Sequence, residues 1–252
     1  MTSVYARDGD LWIPSPEARG PFEGQHGGGV GAVLAAAMEE AAEAANCGEG
    51  MQLCVYILRR VPMEPMQVAV RPQRVGGRLA VFSAEMSLDG EVYASATAAF
   101  IKPLPLSDVP PVEMQQRMPA GADYDKVKSF DTGLWFGSLF DMKKDAAGCV
   151  WMRANRPIVE PRGALSFAAG PADWASGITR PDWFGTNSVA GFPNVDLTLH
   201  LDRPPVGDWI GLEGSPAWHG NGVGQTSAIL RDTSGTFGRV AQTIVLVEKG
   251  KR

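Results

Sequence analysis

"EGQHGGGVGAVLAAAMEEAAEAANCGEG", residues 23–50, opens on glycines and turns into an alanine-rich run. Val30, Val33, Leu34, Ala37, Met38 and Ala41 recur at spacings of three and four, one apolar stripe of a helix over about 29–45. Alanine is the best helix former, and Asn46 and Gly48 are suitable stops. The chain beyond this helix changes character. Segments 53–60, 66–75, 78–88 and 92–102 read as strands, and Asp89-Gly90 between the last two is a strong hairpin signal. A helix succeeded by several antiparallel strands is the plan of this half.

The plan recurs further on. "ALSFAAGPADWASGI" (164–178) is a weaker helix candidate, broken at Gly170-Pro171. Strand candidates 195–203, 208–218, 223–232 and 236–249 come after it, with Ser234-Gly235 in the hairpin position, while 132–141 and 148–157 supply earlier strands. In "FPNVDLTLHLDRPP" (192–205), Val195, Leu197, Leu199 and Leu201 alternate with Asp196, Thr198, His200 and Asp202, the pattern of a half-buried strand. Arg60-Val61-Pro62 matches Arg203-Pro204-Pro205. Pro62 lies 28 residues before Gly90 and Pro205 lies 30 before Gly235; Thr97 and Gln242 each stand seven past those glycines. Residues 102–122 are proline-rich and lack a period. The expected division is an N-terminal half over 1–104, a Pro-rich linker over 105–126 and a C-terminal half over 127–252. A helix wrapped by a long antiparallel sheet is the hot-dog arrangement, so the expected fold is an α+β double hot dog.

Composition narrows the function classes. The 252 residues are 44% hydrophobic and 20% charged, with a net charge of −5, which argues against a nucleic-acid partner. Cys47, Cys54 and Cys149 are odd in number and form no CxxC, and three scattered histidines have no ligand spacing, so neither a metal nor another cofactor is expected. The N-terminus lacks a signal-like pattern and no apolar run reaches a membrane span, so a cytoplasmic protein is expected. "GGGVGA" (27–32) fits a dinucleotide fingerprint but has no strand before it, and no G-x-S-x-G elbow occurs. Arg59 and Arg60 read as a solvated strand end or as a grip on phosphates. The tryptophans read as packing or as walls of a ligand tunnel.

Two stretches carry a family resemblance: "GQHGGGVGAVLAAAMEEA" (24–41) and the run from Val195 to Glu248, with its Asp strand, Arg-Pro turn, Trp strand and Asp…Gly hairpin leading to a Gln. The chain resembles the acyl-CoA thioesterase II-like proteins, a double hot-dog family of lipid metabolism. The resemblance implies hydrolysis of an acyl-CoA or other acyl thioester by water, held by an Asp, a Thr or Ser, and a Gln. Carried over, the Asp falls on Asp196 and the Gln on Gln242. An ungapped count from Trp209 puts the third member at Ala217; Ser215, two residues away on the same strand face, offers a hydroxyl.

Such hydrolysis needs an activated water and a site for charge on the carbonyl oxygen. Asp196 would take the water's proton and Gln242 would hold the water. Gly27, Gly28 and Gly29, with the helix they open, would form the oxyanion hole, bordered by His26. Leu53 and Thr97 stand as counterparts of Asp196 and Gln242, so one of two related sites keeps the chemistry. Two rivals remain. One is a non-catalytic acyl- or CoA-binding protein, favoured by Ala217. The other is an enoyl-CoA hydratase or dehydratase on the same fold, whose Asp-x4-His pattern Asp196 and His200 do not match. Open sheet edges leave room for a homo-oligomer.

Overall fold

The computed structural model describes residues 3–110, 112–124, 133–184 and 188–250. In its first part lie β1 (Tyr5–Asp8), β2 (Leu11–Pro14), α1 (Gly27–Ala44), β3 (Glu49–Ile57), β4 (Met66–Val75), β5 (Leu79–Leu88) and β6 (Glu91–Ile101). After an irregular stretch come β7 (Ala122–Asp123), β8 (Phe140–Lys144), β9 (Val150–Ala154), α2 (Ala164–Ala172), α3 (Ala175–Ile178) and β10 (Val189–Gly191). The last part holds β11 (Asp196–Leu201), β12 (Ile210–Trp218), β13 (Val223–Asp232), β14 (Gly235–Val245) and β15 (Val247–Glu248).

Among the described residues, thirteen strands form one antiparallel sheet in the order β1-β2-β4-β5-β6-β3-β11-β14-β13-β12-β9-β8-β7. Outward from the β3–β11 junction, one side runs β3-β6-β5-β4 and the other β11-β14-β13-β12. At the junction Leu53 faces Leu199 and Cys54 faces Thr198, and both leucines are buried. The Asp89-Gly90 hairpin has both residues at positive φ, 51° and 81°, as a two-residue turn of that composition requires.

α1 departs from the amphipathic stripe that its spacing suggests. From Gly28 to Met38 every residue is buried, because the sheet covers one side and α2 the other. Small alanines suit a helix enclosed in this way. The approach to α2 is close. A Cβ on Gly28 would lie 2.7 Å from the Gly170 carbonyl oxygen and 2.9 Å from Asp173 Cβ; one on Gly29 would lie 2.5 Å from Tyr5 Oη. The glycine run therefore serves helix packing first.

The proline-rich stretch contains no helix or strand among the described residues from 103 to 121 and is largely exposed. It is nevertheless tied down: Arg117 pairs with Asp145 at 2.9 Å and with Glu213 at 3.4 Å. The expected linker end at 126 lies outside the described residues. The expected strand over 132–141 is instead a 3-10 turn, Phe136–Leu139, leading into β8. The Arg-Pro turn has a structural explanation. Arg203 Nη2 donates to Asp232 Oδ1 at 2.8 Å, and Asp232 also accepts from the N–H groups of Val206, Ser234 and Gly235. Burial would raise this carboxyl, but Arg203 and those N–H groups hold it below the usual carboxylate range.

Candidate active site

The helical segment that reads weakly in the sequence builds the centre of the site. α2 is tied to α1 at both ends. At its start Gly163 has no side chain to cap the helix, and Glu39 of α1 supplies one, accepting from Leu165 N at 2.7 Å and Ser166 N at 3.3 Å. At its end Asp173 comes directly after Ala172 and meets the N-terminus of α1.

Asp173 is buried, yet its carboxylate is hydrogen-bonded. Its Oδ1 accepts from Asn194 Nδ2 and from Gln242 Nε2, both at 2.9 Å. Gln242 is itself fixed: its Nε2 also reaches the Asp173 carbonyl at 3.2 Å, and its Oε1 accepts from Ser176 N at 3.0 Å. Asp173 Oδ2 lies 3.2 Å from His26 Nδ1. Burial pushes the Asp173 carboxyl up to about 6, while Asn194, the Gly28 N–H and Gln242 pull the other way. The result is a carboxylate that is ionised at neutral pH yet basic enough to take a proton.

His26 caps α1, its Nδ1 accepting from Gly28 N at 3.1 Å. The ring is stacked between Phe136, at 4.4 Å and 14°, and Trp174, at 5.2 Å and 22°. Burial pushes its pKa down to about 3. His26, Gly27, Asp173 and Asn194 line a cleft of about 940 Å³, whose walls include Phe22, Trp135, Trp174 and Phe192. Arg59 and Arg60 also line it; they pair with Glu91 and with Glu23 respectively.

Of the residues singled out in the sequence, Gln242, His26 and Gly27–Gly29 converge here; Asp196 and Ser215 do not. Asp196 starts β11 on the side of Thr198 and His200, away from the core, whereas Leu197, Leu199 and Leu201 face inward. Gln242 lies on the core side of β14 with Val240 and Ile244. Two residues on opposite faces of one sheet cannot hold the same water, so the expected Asp196–Gln242 pairing is corrected. The Asp196 carboxylate instead accepts from Thr243 N at 2.7 Å and Thr198 Oγ1 at 3.1 Å. Ser215 and Ala217 are exposed on β12, opposite Ser227 and Gln225. The inferred counterparts are also out of register, since Thr97 is exposed and Leu53 buried.

The site residues that the sequence pattern does not reveal are Asp173 and Asn194. A signal for the first is present: Asp173 is the only charged residue in 164–178. Asn194 offers no comparable signal, because an asparagine beside Pro193 reads as a turn residue.

Residues 15–101 match the acyl-CoA thioesterase N-terminal domain, and residues 107–246 match the acyl-CoA thioesterase C-terminal domain. No curated protein matches the chain. Solved structures similar to it include the acyl-CoA thioesterase II TesB2 of Mycobacterium marinum, at 18% identity and a TM-score of 0.70, over 98% of this chain and 96% of that one. A tesB protein of Mycobacterium avium subs paratuberculosis is 16% identical with a TM-score of 0.67, over 96% and 95%. A conserved hot dog protein of unknown function from Alicyclobacillus acidocaldarius is 16% identical with a TM-score of 0.70, over 96% and 95%. At these identities the likeness establishes a hot dog fold.

Proposed function

Because the chain belongs to the acyl-CoA thioesterase family, we propose that it hydrolyses an acyl-CoA thioester by direct attack of water, with Asp173 as general base. The observation that carries this reading is the Asp173 carboxylate at the cleft wall, aimed by Asn194 from the loop before β11 and by Gln242 from β14. Water at that wall would give its proton to Asp173 as its oxygen attacks the thioester carbon. Asn194, which also lines the cleft, would orient the water through its side-chain carbonyl. Gln242 is buried behind Asp173 and acts as a positioning residue. The first turn of α1 at Gly27, which lines the cleft, would receive charge developing on the carbonyl oxygen. Arg59 and Arg60 would face the phosphates of CoA by exchanging their carboxylate partners.

The architecture we propose is a double hot dog. Matching strand orders on the two sides of the β3–β11 junction support it, as does the helix within each half. The halves would run over 1–104 and 127–252, joined by 105–126.

The test is turnover across a series of acyl-CoAs, with free CoA monitored by a thiol reagent and the acid product measured in parallel. Hydrolysis would give the two products in equal amounts. An acyl-CoA that binds by calorimetry yet is not hydrolysed, for every chain length tried, would replace this function with the acyl-binding alternative.

A further inference from the structure

We propose that His26 is itself a catalytic residue, a neutral imidazole whose Nε2–H donates to the thioester carbonyl oxygen as negative charge builds there; this rests on the hydrolase reading above. The contact with Gly28 points to one tautomer. Gly28 N donates to Nδ1 at 3.1 Å, and a ring nitrogen that accepts carries no proton. The proton of the neutral ring therefore sits on Nε2. An Nδ1–H, in the other tautomer or an imidazolium, would have to turn to Asp173 Oδ2 at 3.2 Å and give up the bond from Gly28 N.

The surroundings oppose a charged ring. His26 caps an 18-residue helix, at the positive end of its dipole. Burial pushes the imidazole down to about 3. The faces on either side are Phe136 and Trp174, both neutral. The one carboxylate in contact is Asp173, 3.2 Å from Nδ1. Its charge is drawn toward Oδ1 by Asn194 and Gln242, and the Gly28 N–H bonds to this carboxylate as well as to Nδ1. Glu23, Arg59 and Arg60 also line the cleft, and Glu23 pairs with Arg60.

Neutrality serves the reaction. An imidazolium against Asp173 would take away the basicity that the water needs. A neutral donor stabilises the oxyanion and leaves the base intact. The stacked ring cannot turn its Nε2 edge aside, and among the described residues no protein group pairs with Nε2. The step balances. The water O–H bond breaks and its proton passes to Asp173 while the new C–O bond forms. The carbonyl π pair moves onto oxygen, where Nε2–H holds it. The pair then returns, the C–S bond breaks, and the thiolate takes the proton from Asp173.

The chain has three histidines, so ring signals of the nitrogen-15-labelled protein are readily assigned with His26→Phe as the reference. The expected signature is a ring that stays neutral and protonated at Nε2 from about pH 5 to 9. His26→Phe keeps the stack and loses the donor; kcat should fall by about 10²–10³ with little change in KM. His26→Gln restores a donor near the Nε2 position and should recover about tenfold of that loss. An Nδ1–H tautomer, an imidazolium at neutral pH, or a folded His26→Phe with full kcat would overturn the proposal. Should His26→Phe fail to fold, the ring signals and His26→Gln still decide it. A wild type inactive on every acyl-CoA would overturn the hydrolase reading and this role with it, whatever the tautomer.

Discussion

Among the described residues Asp173 has no lysine or arginine beside it, and its environment is built from neutral donors. Asn194, Gln242 and the Gly28 N–H stabilise the anion without neutralising it, while burial works against it. Above its pKa of about 6 the group is a base; below, it is a neutral acid that cannot activate water. The kcat profile should therefore rise with pH through about 6 and flatten above it. The same shift bears on folding. The folded state binds this proton more tightly than the unfolded chain, at about 6 against 3.8, so the stability contribution is complete below the unfolded value and lost as pH rises through about 6. Asp173→Asn does not titrate. Its stability relative to wild type should improve between pH 4 and 7 by up to about 3 kcal/mol. Urea denaturation at several pH values measures this, and a difference that does not vary with pH would contradict it. Asp196 makes the opposite comparison: it pins the start of β11 through Thr243 and Thr198. Asp196→Asn should cost about 1 kcal/mol or less and leave kcat near wild type.

The two central elements meet through glycine. Gly28 has no space for a methyl group between Gly170 O at 2.7 Å and Asp173 Cβ at 2.9 Å, and neither neighbour is a flexible side-chain end. Gly28→Ala should push α2 from α1 and carry Asp173 with it. A loss of about 1–3 kcal/mol in stability is expected, together with a fall in kcat larger than the change in KM. Thermal melting and steady-state kinetics together check this; an active variant of normal stability would show that the helices can separate without moving the carboxylate. At the rim of the sheet, Asp232 is buried with Arg203 and three N–H groups around it. Asp232→Ala should leave Arg203 unpaired and cost about 3–5 kcal/mol without a specific effect on the active site. The motif that looks functional in the sequence, an Arg-Pro turn answered by Asp…Gly, is thus a fastening between β11 and the β13–β14 hairpin.

At the scale of the whole molecule, pattern makes the strands readable. Alternation in 195–203 and the Asp-Gly hairpin place β11, β5 and β6 within two residues of their observed ends. The long helix is readable because alanine has little else to do. The short β1–β2 hairpin is not, since four residues give too little periodicity. Site residues are harder for a related reason. Which face of β11 and β14 looks inward depends on pairing register, and one step in register exchanges the faces. The resemblance points to Gln242, whose side chain meets Asp173, and to Asp196, which lies on the other side of the sheet. Asp173 reaches the site through packing of a helix that the Gly170-Pro171 pair makes look broken. Pro171 is in fact accommodated in the last turn of α2, just before Asp173. No helix of the described residues is long and apolar enough to cross a membrane.

The proposed mechanism assigns the base to Asp173 rather than Asp196. The direct measurement is kcat for wild type, Asp173→Asn and Asp196→Asn on the best acyl-CoA substrate at about pH 8, with folding verified for each. Asp173→Asn should lose about 10²–10⁴ in kcat, as expected when a positioned general base is removed, while Asp196→Asn stays within a few-fold of wild type. A folded Asp173→Asn with wild-type kcat, or a collapse of turnover confined to Asp196→Asn, would contradict that assignment.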